Sequence, residues 1–62
     1  MITVLVNGIG IDFNSAVNKM DEVIREKLGR RADLVTAQDF IDAYCIEHQK
    51  KFGRPWSVNA SL

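Results

Sequence analysis

The sequence predicts an α+β fold, an N-terminal β-hairpin packed under two antiparallel α-helices in the order ββαα. Three observations carry that expectation. Two short apolar segments, residues 2–6 and 9–13, flank the dipeptide Asn7-Gly8. Apolar residues then recur at three- and four-residue spacing over 15–28. The same spacing returns over 37–52, behind a helix-capping signal.

Asn7-Gly8 suits a type I′ turn, in which both central residues take positive φ; Asn tolerates this and Gly adopts it freely. A turn there sets Val6 opposite Ile9, Val4 opposite Ile11 and Ile2 opposite Phe13, with all six apolar side chains on one face. The other face receives Leu5 opposite Gly10 and Thr3 opposite Asp12. A slip of one residue would send the apolar set to the wrong face, so pattern and turn chemistry agree. A two-stranded sheet is seldom stable alone. Its apolar face needs a cover, and its edges are open to a partner strand, with Asp12 placed to guard against indiscriminate pairing.

Over 15–28 the apolar stripe is Ala16, Val17, Met20, Val23, Ile24 and Leu28, which predicts one continuous amphipathic helix. Asn14 or Ser15 is expected to cap it, and Gly29 to supply the left-handed residue after its end. Asp21 with Arg25, and Glu26 with Arg30, are spaced to pair on its wet face. For the helix over 37–52, Thr36 is the expected N-cap with Asp39 at N3, and Val35 and Phe40 the expected hydrophobic staple. Gly53 and Pro55 close it, while Lys50 and Lys51 sit in the last turn, where the helix dipole favours cations. Steps of 100° place Ala37, Phe40, Ile41, Tyr44, His48 and Phe52 on one face, Cys45 at its border and Ile46 on the opposite side. The tail over 54–62 contains the alternation Trp56-Ser57-Val58, which allows a short third strand along a hairpin edge.

Sixty-two residues fit a single small domain, 1–62. A domain of this size buries only about 60% of the surface its unfolded chain exposes, so a second subunit is a common source of added stability. One cysteine, Cys45, excludes an internal disulfide, and the scarcity of cysteine fits a reducing cytoplasm. No segment approaches the roughly 20 apolar residues of a membrane span, and no secretory signal is present. Eight basic residues balance eight acidic ones: five against four through Arg31, three against four beyond it. That balance gives no long-range steering toward nucleic acid or an anionic membrane.

Chemistry-bearing residues are few. Cys45 and His48, three apart on a helix, could reach one metal ion, but supplements are limited to Asp42 and Gln49, short of a complete ligand set. The same pair as thiol nucleophile and base would need an oxyanion hole and a pocket that a chain this short hardly accommodates. Gly8-Ile9-Gly10 lacks the third glycine and the following helix of a phosphate-binding loop. The expectation is therefore a protein without catalytic residues, metal or cofactor. Arg30, Arg31, Lys50, Lys51 and Arg54 are candidate nucleic-acid contacts near helix C-termini, the alternative function. Antiparallel helices would separate these clusters, and the connection over 29–35 is too long for a helix-turn-helix. Leu5, Ile46, Trp56 and Val58 are surplus to the core that can be drawn, and are the candidate protein interface.

The opening Met1-Ile2-Thr3-Val4-Leu5-Val6-Asn7-Gly8, followed by strand and helix, resembles the start of small ubiquitin-like sulfur-carrier proteins. That family's chemistry resides in a C-terminal Gly-Gly, whereas this chain ends Asn59-Ala60-Ser61-Leu62, so the resemblance carries no sulfur-transfer function over. The compact, capped, tail-bearing format also resembles the small accessory proteins that bacteriophages encode to bind host factors. The sequence thus leads to the expectation of a cytoplasmic, non-enzymatic interaction module. It would be a homodimer that regulates, inhibits or adapts a partner protein.

Overall fold

The computed structural model describes residues 2–57. Its elements run β1 (Thr3–Val6), β2 (Ile9–Asp12), α1 (Phe13–Asn18), α2 (Glu22–Gly29) and α3 (Ala37–Phe52). The ββαα layout is present, with the first helical stretch divided in two.

The hairpin follows the pattern of its sequence. β1 and β2 are antiparallel, with Val6 opposite Ile9, Leu5 opposite Gly10, Val4 opposite Ile11 and Thr3 opposite Asp12. Asn7 and Gly8 carry the positive φ values, 54° and 82°, that a type I′ turn requires. The helices cover the hairpin's apolar face unevenly. Val4 and Val6 are fully buried and Ile11 and Phe13 partly so, while Ile2 and Ile9 stay more than half exposed. Among the described residues the sheet has these two strands and no third, and Val58 lies outside the described residues.

The expected continuous helix over 15–28 breaks at residues 19–21. Asp12, not Asn14 or Ser15, caps α1: its carboxylate accepts from the Ser15 backbone N–H while its own backbone is extended. The strand therefore runs straight into the helix. After Asn18 the chain tightens, with Lys19 and Met20 N–H groups bonding three residues back to Ala16 and Val17. Asp21 then returns to extended backbone (φ −61°, ψ 131°) and starts α2 as a fresh N-cap for Ile24. Asp21 does not pair with Arg25 by side chain, because its carboxylate serves as cap and as partner to Lys51, 2.9 Å away. The break keeps Met20 buried beside the hairpin core while re-aiming α2. Gly29 closes α2 within the helix, and the C-cap is Arg30 in ordinary right-handed backbone.

The longest helix, α3, has the bounds expected from its caps. Thr36 and Asp39 form the reciprocal capping box, and Gly53 ends the helix in the left-handed region at φ 75°. The staple is absent: Val35 is 83% exposed, and Phe40 packs edge-on against Phe13 instead, ring centroids 6.1 Å apart. That contact ties the start of α1 to the start of α3. α3 packs against both β1 and α2, so it buries more than the stripe facing the hairpin. Ile41 and Tyr44 are in the core as expected, and Ala43 joins them from outside that stripe.

Trp56 completes the core. Only 6% exposed, its ring meets Tyr44 edge-on at 4.3 Å, and its carbonyl accepts a 2.6 Å hydrogen bond from Asn7 Nδ2. The turn residue that sets the hairpin therefore also holds the segment following α3. Tyr44, fully buried, accepts from the Asp21 backbone N–H through its hydroxyl at 2.8 Å. One side chain thus joins the α1–α2 break, α3 and Trp56.

Candidate functional site: an acidic groove along α3

A groove of about 330 Å³ runs beside α3, lined by Arg31, Asp33, Leu34, Asp39, Asp42, Ala43, Ile46 and Glu47. Four carboxylates and one guanidinium line it, together with the apolar Leu34, Ala43 and Ile46. The α2–α3 connection supplies one wall, because Asp33 and Leu34 follow the end of α2 before Thr36 opens α3. The α3 wall arises from helical spacing: Asp39, Asp42, Ala43, Ile46 and Glu47 stand three and four apart on neighbouring rows.

Each charged group of the groove has a hydrogen-bond partner. Arg31 holds Asp33 in a two-point pair, Nε to Oδ1 at 3.1 Å and Nη2 to Oδ2 at 2.6 Å. That bonding lowers the Asp33 carboxyl and raises the Arg31 guanidinium relative to their ordinary pKa values. Lys27 Nζ reaches Glu47 at 3.0 Å and lowers its carboxyl likewise. Asp39 accepts from the Thr36 N–H within the capping box. Asp42 accepts from the Gln38 amide at 3.1 Å. The exposed ion pairs add little stability in high dielectric; their effect is to fix where the charges stand.

Ile46 is the exposed apolar residue of this groove, 58% open. Leu5, 57% open, belongs to β1; Gln38 of α3 bonds its backbone and also Asp42, which connects Leu5 to a strip of that helix. Gln38, Asp42 and Ile46 are successive i, i+4 positions, so the strip covers about 12 Å of helix. The two expected interface residues Leu5 and Ile46 are therefore linked through α3. Trp56 is placed differently: its ring is inside the core, against Tyr44, with only 6% of the residue exposed. Val58 lies outside the described residues. Gln38 and Asp42 were absent from the sequence-based site; their i, i+4 spacing on the helix was the available signal.

The basic candidates do not form one stripe among the described residues. Lys50 and Lys51 share a second groove with Lys27, Val23, Ile24 and Glu47. Lys51 also lies over the Phe52 ring, 5.3 Å from its centroid. Arg31 belongs to the acidic groove. Arg54 lines a third hollow with His48, Pro55, Trp56 and Ser57. Arg30 is the exposed C-cap of α2.

Cys45 and His48 serve the fold. Burial pushes the Cys45 thiol up from its ordinary pKa, Asp42 adding to the effect, which is the opposite of what a nucleophile needs. His48 bonds the Arg54 carbonyl through Nδ1 at 3.0 Å and its ring lies 4.6 Å from Phe52. Because a carbonyl only accepts, Nδ1 carries the proton. Among the described residues no three His, Cys, Asp or Glu side chains stand close enough to hold a metal ion. Nor, among them, is any helix long and apolar enough to cross a membrane.

Fold and site together define a small α+β protein whose most distinctive surface is an acidic groove with an apolar residue in it. A family model described as anti-CRISPR protein AcrIC5 matches residues 4–56, from the first buried residue of β1 to Trp56. The chain belongs to that anti-CRISPR family. No curated protein matches it.

Proposed function

We propose that this chain is a phage accessory inhibitor that blocks a host CRISPR system by binding one of its proteins, without catalysis, in the cytoplasm. The observation that carries the reading is the family match over residues 4–56. The geometry supports a binding mode: the Leu5–Asp42–Ile46 strip and the adjoining carboxylates dock on a partner surface that carries Lys or Arg beside apolar side chains. Exposed apolar anchors ringed by charge are the usual anatomy of a protein interface.

The single chain is the acting unit in this reading. Self-association was expected from apolar residues left over by the core, and Trp56 now belongs to that core. Nucleic acid as the partner has less support, since Arg31 and Lys51 are engaged by Asp33 and Asp21 and the basic residues face different grooves.

Charged replacements at the two anchors test the proposal. Leu5→Lys and Ile46→Lys are both at exposed positions, the second beside the carboxylates of the groove, so folding should be retained. Each should weaken inhibition of CRISPR interference at least tenfold, a loss typical of interface anchors. The reversals Lys50→Glu and Lys51→Glu should leave inhibition within about twofold of the wild type, as rim charges do. The opposite pattern would move the interface to the α2–α3 groove.

A further inference from the structure

The two ends of the proposed docking strip are joined by one side chain, Gln38. In a hairpin closed by a two-residue turn, the facing pairs alternate between bonded and non-bonded. The Phe13 N–H donating to the Ile2 carbonyl at 2.8 Å continues that alternation past Val6–Ile9 and Val4–Ile11. Leu5 therefore turns its N–H and C=O away from β2, onto the free edge of β1. Gln38 meets both groups. Its Oε1 accepts from Leu5 N–H at 2.8 Å, and its Nε2 donates to Leu5 C=O at 2.9 Å and to Asp42 Oδ1 at 3.1 Å. A side-chain amide presents one donor and one acceptor side by side, the pattern a neighbouring strand would present.

We propose that Gln38 is a positioning residue of the docking surface: it takes the place of a third strand at Leu5 and fixes the edge of β1 to α3. Leu5 is then presented at a set distance from Ile46, and a partner binds without first ordering the edge, which is where preorganisation adds affinity. The same bonds withhold this rung of β1 from pairing with another strand, so the partner meets the side chain of Leu5 rather than its backbone. The inference rests on the docking reading above.

Two substitutions test it, each measured first on the free protein by amide hydrogen exchange and then for inhibition of CRISPR interference. Gln38→Met keeps length and helix propensity but removes all three bonds. The Leu5 amide should exchange at least about tenfold faster, as expected for losing such bonds. The Ile41 and Tyr44 amides should keep their protection, and inhibition should fall by about tenfold. Gln38→Glu provides a pH-dependent rescue. A protonated carboxyl offers the same donor and acceptor as the amide, whereas a carboxylate has no donor for the Leu5 carbonyl. The titratable group facing it on α3 is Asp42, and β1 contributes none, its sequence being Thr-Val-Leu-Val. Once ionised, the introduced side chain stands against the Leu5 carbonyl and the Asp42 carboxylate that Nε2 bonded in the wild type, and is driven off the edge. In the Gln38→Glu variant Leu5 should therefore be protected near pH 4 and lose protection by pH 7, after correction for intrinsic exchange. The wild type should show no such step.

Unchanged Leu5 protection in Gln38→Met would overturn the proposal. So would faster Leu5 exchange with undiminished inhibition, which would leave Gln38 structural only. Exchange is read on the free protein, so these outcomes remain separate from failure of the docking reading, which Leu5→Lys and Ile46→Lys report.

Discussion

At the residue scale, single side chains in this small protein hold several elements at once. Trp56 is the clearest case: its ring fills the space beside Tyr44 and its carbonyl is held by the turn residue Asn7. Replacing a buried large aromatic by Ala costs about 3–5 kcal/mol. A chain of 62 residues has only about 3–9 kcal/mol in total at typical stability per residue. Trp56→Ala should therefore leave a substantial unfolded fraction at 37 °C, seen as a broad, early thermal transition by circular dichroism. Burial also raises the Tyr44 hydroxyl above its ordinary pKa, so the neutral form is the one the fold holds. The sequence placed Trp56 among the surplus residues because it lies beyond the helical periodicity of 37–52, in a tail whose three-residue alternation allows only an edge strand. Its partner contact, Asn7 Nδ2 to a backbone carbonyl 49 residues away, has no local signature.

At the scale of elements, the most informative residue is Asp21. Its carboxyl is lowered from the ordinary value, first by the hydrogen bond from Lys51, then by the Ile24 N–H, against a smaller opposing effect of desolvation. A depressed folded-state pKa stabilises above the unfolded value of about 3.9 and is lost as pH falls through the lower folded value. The stability contributed by this group is thus intact at neutral pH and disappears on the acid side of pH 4. Asp21→Asn keeps the cap, since Asn is as good an N-cap, but removes the titration. Its melting temperature should fall less steeply between pH 5 and pH 2 than the wild type's; an identical profile would show that Asp21 contributes nothing to acid unfolding.

The same residue explains what the sequence did and did not disclose. The hairpin register, the capping box of α3 and its Gly53 terminus were legible because each has a local chemical signature. The break between α1 and α2 was not, because no Gly or Pro marks it and the apolar spacing continues across it. An extended Asp21 whose N–H is met by the Tyr44 hydroxyl divides the helix, a tertiary contact overriding a continuous pattern. Leu5 and Ile46 were visible as unassigned apolar residues, but the groove between α3 and the α2–α3 connection requires the fold.

At the scale of the whole molecule, the anti-CRISPR family and the acidic groove point the same way. In the proposed function the chain acts by what it covers, and Leu5 of β1 and Ile46 of α3 are the exposed apolar residues assigned to that contact. If one chain is the acting unit, sedimentation at hundreds of micromolar should give a monomer mass, and a dimer there would return self-association to the mechanism. The most direct measurement is site-specific photocrosslinking to the purified CRISPR interference complex. A photoreactive side chain would be placed at position 5, 46 or 23, all exposed apolar sites. The account predicts crosslinks to one CRISPR protein from positions 5 and 46, and none from Val23 beside the basic groove. Crosslinks from position 23 alone would contradict it.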